Sequence, residues 1–227
     1  MKWTQADIRN EDRLRRLNLI NSVTGIKPAN LIGTISEEGV PNLAIFSSVF
    51  HLGSNPALIG FNLRPQGELR RGTWLNFQQT GVCTINTVEA SFVENAHYTS
   101  AKFDASVSEF DAVGLTEEYQ TGCPAPFVLE SRLKYSLSFE QAIPIELNGT
   151  TLVIGSIQSL YIDDQAVSPD GYIDFQSLEL VGVGGLNSYY GVNKIQEFPY
   201  ARPSSLPKFS NANAQTGIGA KGRAINL

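Results

Sequence analysis

LKYSLSFEQAIPIELNGTTLVIGSIQSLYI, residues 133–162, is the stretch that decides the fold class. Asn148-Gly149 lies between two runs rich in β-branched and aromatic residues. Asn-Gly supplies the positive φ angles of a type I′ hairpin turn, so residues 133–147 and 150–162 are expected to pair as two long strands. Leu137 and Phe139 alternate with Ser136 and Ser138, the period of a half-buried strand. Pro144 weakens the ladder near the turn because it has no N–H to donate.

Working outward, residues 30–36, 41–52 and 57–63 read as three further strands, parted by Glu37-Glu38-Gly39 and by Gly53-Ser54-Asn55-Pro56. Short turns between strands suggest an antiparallel meander. Residues 82–88 form a fourth strand in this part. Residues 7–23 carry Leu14, Leu17 and Ile20 near helical spacing, with Arg13, Arg15 and Arg16 between them as a solvated face, and Gly25 and Pro28 end that helix. A second helix opens at Gly72-Thr73-Trp74, with Thr73 as N-cap and Gly81 as its stop. Ser91 and Glu94 have capping-box spacing, which predicts a third helix to about Tyr98. Residues 100–126 are loop-rich, with one helical turn around 109–113. The pattern predicts a mainly β protein, a β-barrel with short inserted helices, in one domain over residues 1–202. Residues 203–227, rich in Ser, Pro, Asn, Ala and Gly, read as an extended tail, either free or laid across a partner subunit.

The 227 residues are 42% hydrophobic and 17% charged, an ordinary globular balance, with a net charge of −5. That charge excludes a general nucleic-acid binder, which needs a basic surface to displace counterions from phosphates. The N-terminus lacks the apolar core of a signal peptide, and no run approaches the roughly 20 apolar residues of a membrane span. A soluble cytoplasmic chain is expected. Cys83 reads as a small core residue and Cys123 as part of a Gly-Cys-Pro loop. Two reduced thiols are expected, although spacing alone leaves a disulfide open. The histidines and cysteines show no metal-ligand spacing. Gly182 to Gly185 lacks the helix and downstream acid of a dinucleotide fingerprint.

One local cluster stands out in this acidic chain. Arg64-Pro-Gln-Gly-Glu-Leu-Arg70-Arg71-Gly72-Thr73 leaves a strand and enters a helix. The first turn of a helix exposes unpaired N–H groups and the positive end of its dipole. A phosphate there gains those groups, the Thr73 hydroxyl and the guanidinium forks of Arg64, Arg70 or Arg71. A solvated basic loop with a plain N-cap fits the same residues, and no Walker motif is present.

Several segments together resemble the flavin reductase-like, FMN-binding split-barrel family. Lys27-Pro-Ala-Asn-Leu-Ile-Gly-Thr34 is similar to the family's opening strand, and Pro41-Asn-Leu-Ala-Ile-Phe-Ser-Ser48 to its flavin-facing strand. Asn55-Pro-Ala-Leu-Ile-Gly-Phe61 matches the next loop and strand, and Arg71-Gly72-Thr73 stands in the place of a phosphate-binding Lys-Asp-Thr. Thr80-Gly-Val-Cys-Thr-Ile-Asn86, Thr99-Ser100, Glu109-Phe110, Gly114-Leu115-Thr116 and Gly155 with Tyr161-Ile162-Asp163 follow in family order. The resemblance covers roughly residues 28–190 and rests on order and spacing, since no single motif is specific.

The resemblance implies FMN as cofactor, NAD(P)H as electron donor and a homodimer. Phe46, Ser47, Ser48, Asn62, Arg64, Arg71, Thr73, Thr99 and Ser100 are implied to bind the cofactor. Ser47 and Ser48 would lie near the ring and ribityl chain, Asn62 would reach ribityl or phosphate, and Arg64, Arg71 and Thr73 would hold the phosphate. Thr99 and Ser100 would close over the cofactor, within one subunit or across two. The flavin carries the redox chemistry, with hydride passing from nicotinamide C4 to flavin N5, so no side chain is assigned as acid or base. Reduced flavin would stay bound or leave for a partner oxygenase. Two rival readings share the fold: an FMN-binding module without its own reductase activity, and an oxidase of a phosphorylated small molecule such as a B6 vitamer. His97 stands where relatives often carry Asn, and Asn187, Tyr189 and Tyr190 follow a segment that lacks the Arg many relatives have. His51 reads as structural or site-lining.

Overall fold

Alternating side chains build the central sheet. The structure, a computed structural model, describes residues 1–65, 72–104 and 107–209. In chain order the elements begin with α1 (Gln5–Asn10), α2 (Arg13–Ser22), β1 (Lys27–Pro28), β2 (Asn30–Ile35), β3 (Pro41–Phe46), β4 (Val49–Ser54) and β5 (Ala57–Leu63). There follow α3 (Gly72–Thr80), β6 (Val82–Thr87), α4 (Val93–Tyr98), α5 (Glu109–Val113), β7 (Glu117–Gln120) and β8 (Cys123–Val128). The series ends with β9 (Leu133–Ile145), β10 (Thr150–Ile162), β11 (Val181–Gly184) and β12 (Ser188–Gly191). All these elements lie in the compact unit Met1–Asn193. The second unit, Lys194–Leu227, contributes one 3₁₀ turn, Pro203–Ser205, among its described residues.

Seven strands pair antiparallel in the order β3-β2-β6-β9-β10-β5-β4. The two edges, β3 and β4, are consecutive in the chain and parted only by Ser47 and Ser48. A sheet whose edges are joined by so short a link must curl until they nearly meet. The result is a barrel with one open seam, a split barrel, mainly β with short inserted helices. Ile32, Phe61, Leu63, Ile85, Leu137 and Val153 fill its interior together with Phe77 of α3. Phe77 is fully buried against Phe61 and Phe139, so α3 closes one end of the barrel. Each such buried Phe or Leu contributes roughly 1.5–3 kcal/mol of hydrophobic free energy.

The outer face of β2 and β3 is covered by α4 and α5, through Leu31 and Leu43 packed on Phe92, Ala96 and Phe110. Beside them the β7–β8 hairpin crosses β2 and β6 at very close range. A Cβ on Gly33 would lie 2.2 Å from the Pro126 carbonyl oxygen, so only glycine fits there. Thr84 Oγ1 donates to Pro126 O at 2.6 Å, Val128 N–H donates to Asn86 Oδ1 at 2.9 Å, and buried Lys134 pairs with Glu118 while donating to Val128 O at 3.0 Å. These side chains satisfy polar groups that hairpin docking removes from water.

Several sequence expectations need correction. Residues 7–23 form two helices, because the Asp12 carboxylate accepts from Leu14 and Arg15 N–H and starts a new helix. Residues 41–52 form two strands that do not pair with each other, so the meander is broken at the seam. Thr73 is the second residue of α3, not its N-cap. The capping box at Ser91 does not form; Phe92 takes the N-cap place after a 3₁₀ turn. The β7–β8 hairpin stands where a loop was expected, and Cys123 begins a strand. Residues 133–162 do pair, but through a four-residue loop, 146–149, in which Gly149 alone takes positive φ (71°) and donates its N–H to Ile145 O at 2.9 Å. Cys83 and Cys123 are both buried and free. Among the described residues no helix is long and apolar enough to cross a membrane.

Candidate functional site

β3 organises the site. Successive residues alternate sides, so Asn42, Ala44 and Phe46 face the barrel interior while Leu43 and Ile45 pack outward under α4 and α5. At the start of the strand, Asn42 Nδ2 donates to Thr73 Oγ1 at 3.1 Å and to Thr34 Oγ1 at 3.2 Å. Asn76 Nδ2 donates to the same Thr34 oxygen at 3.3 Å. Thr34, Thr73 and Asn76 are buried. This polar cluster seats the first turn of α3 on β3. Gly72 allows the approach, since a Cβ there would lie 2.4 Å from Asn42 Oδ1. The first described turn of α3 therefore sits next to β3.

At the other end of β3 the chain crosses the seam. Ser48 Oγ donates to Asn62 O at 3.0 Å and accepts from Asn62 N–H at 3.2 Å, tying the crossing to β5. Ser48 thus spends its hydroxyl on the barrel, while Ser47 is half-buried beside it. Asn62 Oδ1 is buried without a partner among the described residues. A buried amide oxygen left unmatched costs about 1–3 kcal/mol, and a ligand N–H or O–H would relieve it. Phe46 joins the barrel core, edge-on to Phe61 at 5.7 Å. Arg64 is exposed just beyond β5. Arg70 and Arg71 lie outside the described residues.

The seam side of β3 carries backbone donors. Leu43 N–H points there and donates to Glu109 Oε2 at 3.0 Å. Alternation puts the Ile45 N–H on the same side, where no neighbouring strand pairs with it among the described residues. Burial pushes the Glu109 carboxyl above the ordinary carboxylate range, and the Leu43 N–H partly offsets that rise.

Thr99 and Ser100 follow α4, which lies over β3. Their hydroxyls turn back into their own helix end, Thr99 to Ala96 O at 2.8 Å and Ser100 to His97 O at 2.7 Å. Thr99 is buried and Ser100 exposed. His97 Nδ1 meets Tyr189 Oη at 3.0 Å with the rings edge to face. A cleft of about 220 Å³ lies at that pair, lined also by Glu94, Tyr98 and Asn187; a second of about 400 Å³ lies past Tyr98, beside Phe103 and Val113. His51 is exposed on β4.

The structure thus brings Thr73, Phe46, Ser47, Ser48 and Asn62 along one strand and its seam, and sets Thr99 and Ser100 at the end of the helix above. Residue-by-residue reading missed Asn42, Thr34, Asn76 and Glu109. A polar residue on the inward face of an apolar strand was the available signal for Asn42. Nothing local marks Glu109, 66 residues from its partner. The set fits FMN: helix N–H groups and Thr73 for a phosphate, and the Ile45 N–H and the unmatched Asn62 acceptor for the polar edges of the remainder.

Comparison with known proteins shows the family. Residues 26–177 match the profile of the flavin reductase like domain. An uncharacterized protein of Halalkalibacterium halodurans is 30% identical over 186 residues, covering 78% of this chain and 86% of the relative. A solved protein of Shewanella frigidimarina NCIMB 400, assigned as a flavin reductase with split barrel domain, is 47% identical with a TM-score of 0.85, covering 88% of this chain and all of that one. Nitrilotriacetate monooxygenase component B from Bacillus cereus shares the fold at 20% identity and a TM-score of 0.78, with 87% of this chain and 98% of that chain covered. The chain belongs to the flavin reductase like family and is a flavin-related oxidoreductase built on a split barrel.

Proposed function

We propose that this protein binds FMN along β3 and acts as an NAD(P)H-dependent flavin reductase. The observation that carries the reading is the arrangement at the two ends of one edge strand: the start of α3 seated on Asn42 through Thr73, and the seam with the unmatched Asn62 oxygen. Thr73, the α3 amides, Arg64 and Arg71 hold the phosphate in this reading. Ser47, Asn62 and the Ile45 N–H orient the ribityl chain and ring, Phe46 backs the site from the barrel core, and α4 with Thr99 and Ser100 shields it from water. Bound FMN supplies the hydride acceptor, and NAD(P)H the hydride. The chain's task is to hold the two rings face to face in a dry site.

Assembly belongs to the same proposal. Phe50, Leu52, Leu58, Leu152, Ile154 and Ile143 share the outer face of β4, β5, β10 and β9; Phe50, Leu52 and Ile143 are each about 40% exposed. An apolar sheet face of this kind supports a homodimer. The likeness in fold to a monooxygenase component B supports delivery of reduced flavin to a partner oxygenase.

The test is an absorbance spectrum of the purified protein loaded with FMN, recorded before and after anaerobic NADH or NADPH. Rapid bleaching is expected; bound FMN that bleaches slowly would leave a binding module only. Thr73→Ala combined with Arg71→Ala should weaken FMN by of order 2–4 kcal/mol and leave riboflavin, which lacks the phosphate, nearly unaffected. Equal weakening of both would reject the phosphate assignment.

A further inference from the structure

An edge strand is the least restrained part of a sheet, because half of its backbone groups lack a partner strand. β3 is such an edge, and it carries the proposed site along its length. On its inner side the strand is fixed by pairing with β2. On the seam side its restraint comes from Glu109, whose carboxylate accepts the Leu43 N–H at 3.0 Å. Glu109 is itself well anchored. Phe110, the next residue, is fully buried in the same cluster as Leu43, and Val113 packs against that cluster one turn on. A half-buried carboxylate is a costly way to fill one N–H, since burial disfavours its charge. A neutral side chain on a looser loop would fill it as well, if stability alone were at stake.

We propose that Glu109 is a positioning residue for the flavin site: by holding Leu43 it fixes the edge of β3, and so sets Asn42 against Thr73 and presents the Ile45 N–H at the seam. The inference rests on the FMN reading above. The neighbours make the linkage direct. Asn42 precedes Leu43 and bridges Thr34 on β2 to Thr73 on α3. A shift of the Leu43 backbone would therefore move the Asn42 amide and with it the seat of the helix start. Two residues on, Ile45 points to the same side as Leu43, so its N–H moves with the same backbone.

Four proteins separate positioning from simple packing: wild type, Glu109→Ala, Glu109→Gln and Val113→Ala. The last removes α5 packing but leaves the hydrogen bond. Each is titrated with FMN by fluorescence quenching and melted without ligand, and backbone amide exchange is followed over residues 42–46 in the apo state. Glu109→Ala should weaken FMN about tenfold or more and speed exchange at Leu43 and Ile45. Glu109→Gln keeps a carbonyl acceptor and should bind FMN within about twofold of wild type. Val113→Ala should lower the melting temperature yet also stay within about twofold. The proposal fails if Glu109→Ala binds FMN like wild type, if Gln does not rescue, or if Val113→Ala loses as much affinity as Glu109→Ala. A wild-type chain that took up no FMN would overturn the FMN reading itself, and the apo exchange rates would still decide whether Glu109 clamps the strand.

Discussion

Single residues here serve two masters, the barrel and the site. Ser48 and Asn62 show the balance: the Ser48 hydroxyl ties the seam to the Asn62 backbone, while the Asn62 amide oxygen stays without a partner among the described residues. Glu109 shows it through charge. Burial raises its pKa in the folded chain, so folding favours the protonated form. The stability tied to that shift is fully present below the ordinary carboxylate value of about 4.3 and is lost as pH rises through the raised value. Glu109→Gln keeps an acceptor and removes the titration. The stability of Glu109→Gln relative to wild type should therefore increase as pH goes from about 4 to 7, read by urea unfolding at each pH. A flat or falling difference would contradict the assignment of the shift to burial.

Elements are placed by close approaches that one atom can forbid. The β7–β8 hairpin lies against β2 because Gly33 lacks a Cβ; its position 2.2 Å from the Pro126 carbonyl leaves no room for one. The obstacle is backbone, so it cannot swing aside as a side chain would. Gly33→Ala should cost about 1–3 kcal/mol, the usual range for overpacking, measured by denaturant unfolding. Amide exchange should speed up over residues 117–128 and stay slow in β9 and β10. If instead the whole barrel loosened evenly, the hairpin would not be a separately docked element. At Gly72 the obstacle is instead the Asn42 side chain, which can give way only by leaving Thr34 and Thr73, so the consequence falls on the seat of α3.

At the scale of the molecule, the seam and the half-exposed apolar face of β4, β5, β10 and β9 are what the described residues of the barrel unit offer to partners. Phe50, Gly60 and Ile154 are lateral neighbours across β4, β5 and β10, and Phe50 and Leu52 lie over Gly60. Asn62 on β5 belongs to the same alternation, so the apolar face runs up to the proposed site. With a homodimer on this face, Phe50→Glu together with Leu52→Glu should convert dimer to monomer, as read by light scattering after gel filtration, because burying two carboxylates at the contact is strongly unfavourable. A double variant that stayed dimeric with unchanged affinity would move the interface elsewhere.

The long hairpin over residues 133–162, the strand at 57–63 and the short helix after Gly72 were legible from alternation, turn residues and a glycine stop, because these signals act over a few neighbouring residues. The step from a strand into a helix around Thr73 was legible for the same reason, while Arg70 and Arg71 lie outside the described residues. The chain could not announce that residues 41–52 would split at Ser47-Ser48, since a strand bent across a seam and a straight one have the same local pattern. Nor could it announce the β7–β8 hairpin, whose polar groups are met by Thr84, Asn86 and Lys134 from other strands. Residue identity and short-range periodicity determined the barrel's strands. Only the closing of the sheet on itself decided which of them would be edges, and so brought Asn42 to Thr73 and Glu109 to Leu43: hydrogen bonds between distant residues depend on where the backbone travels, which no short stretch encodes.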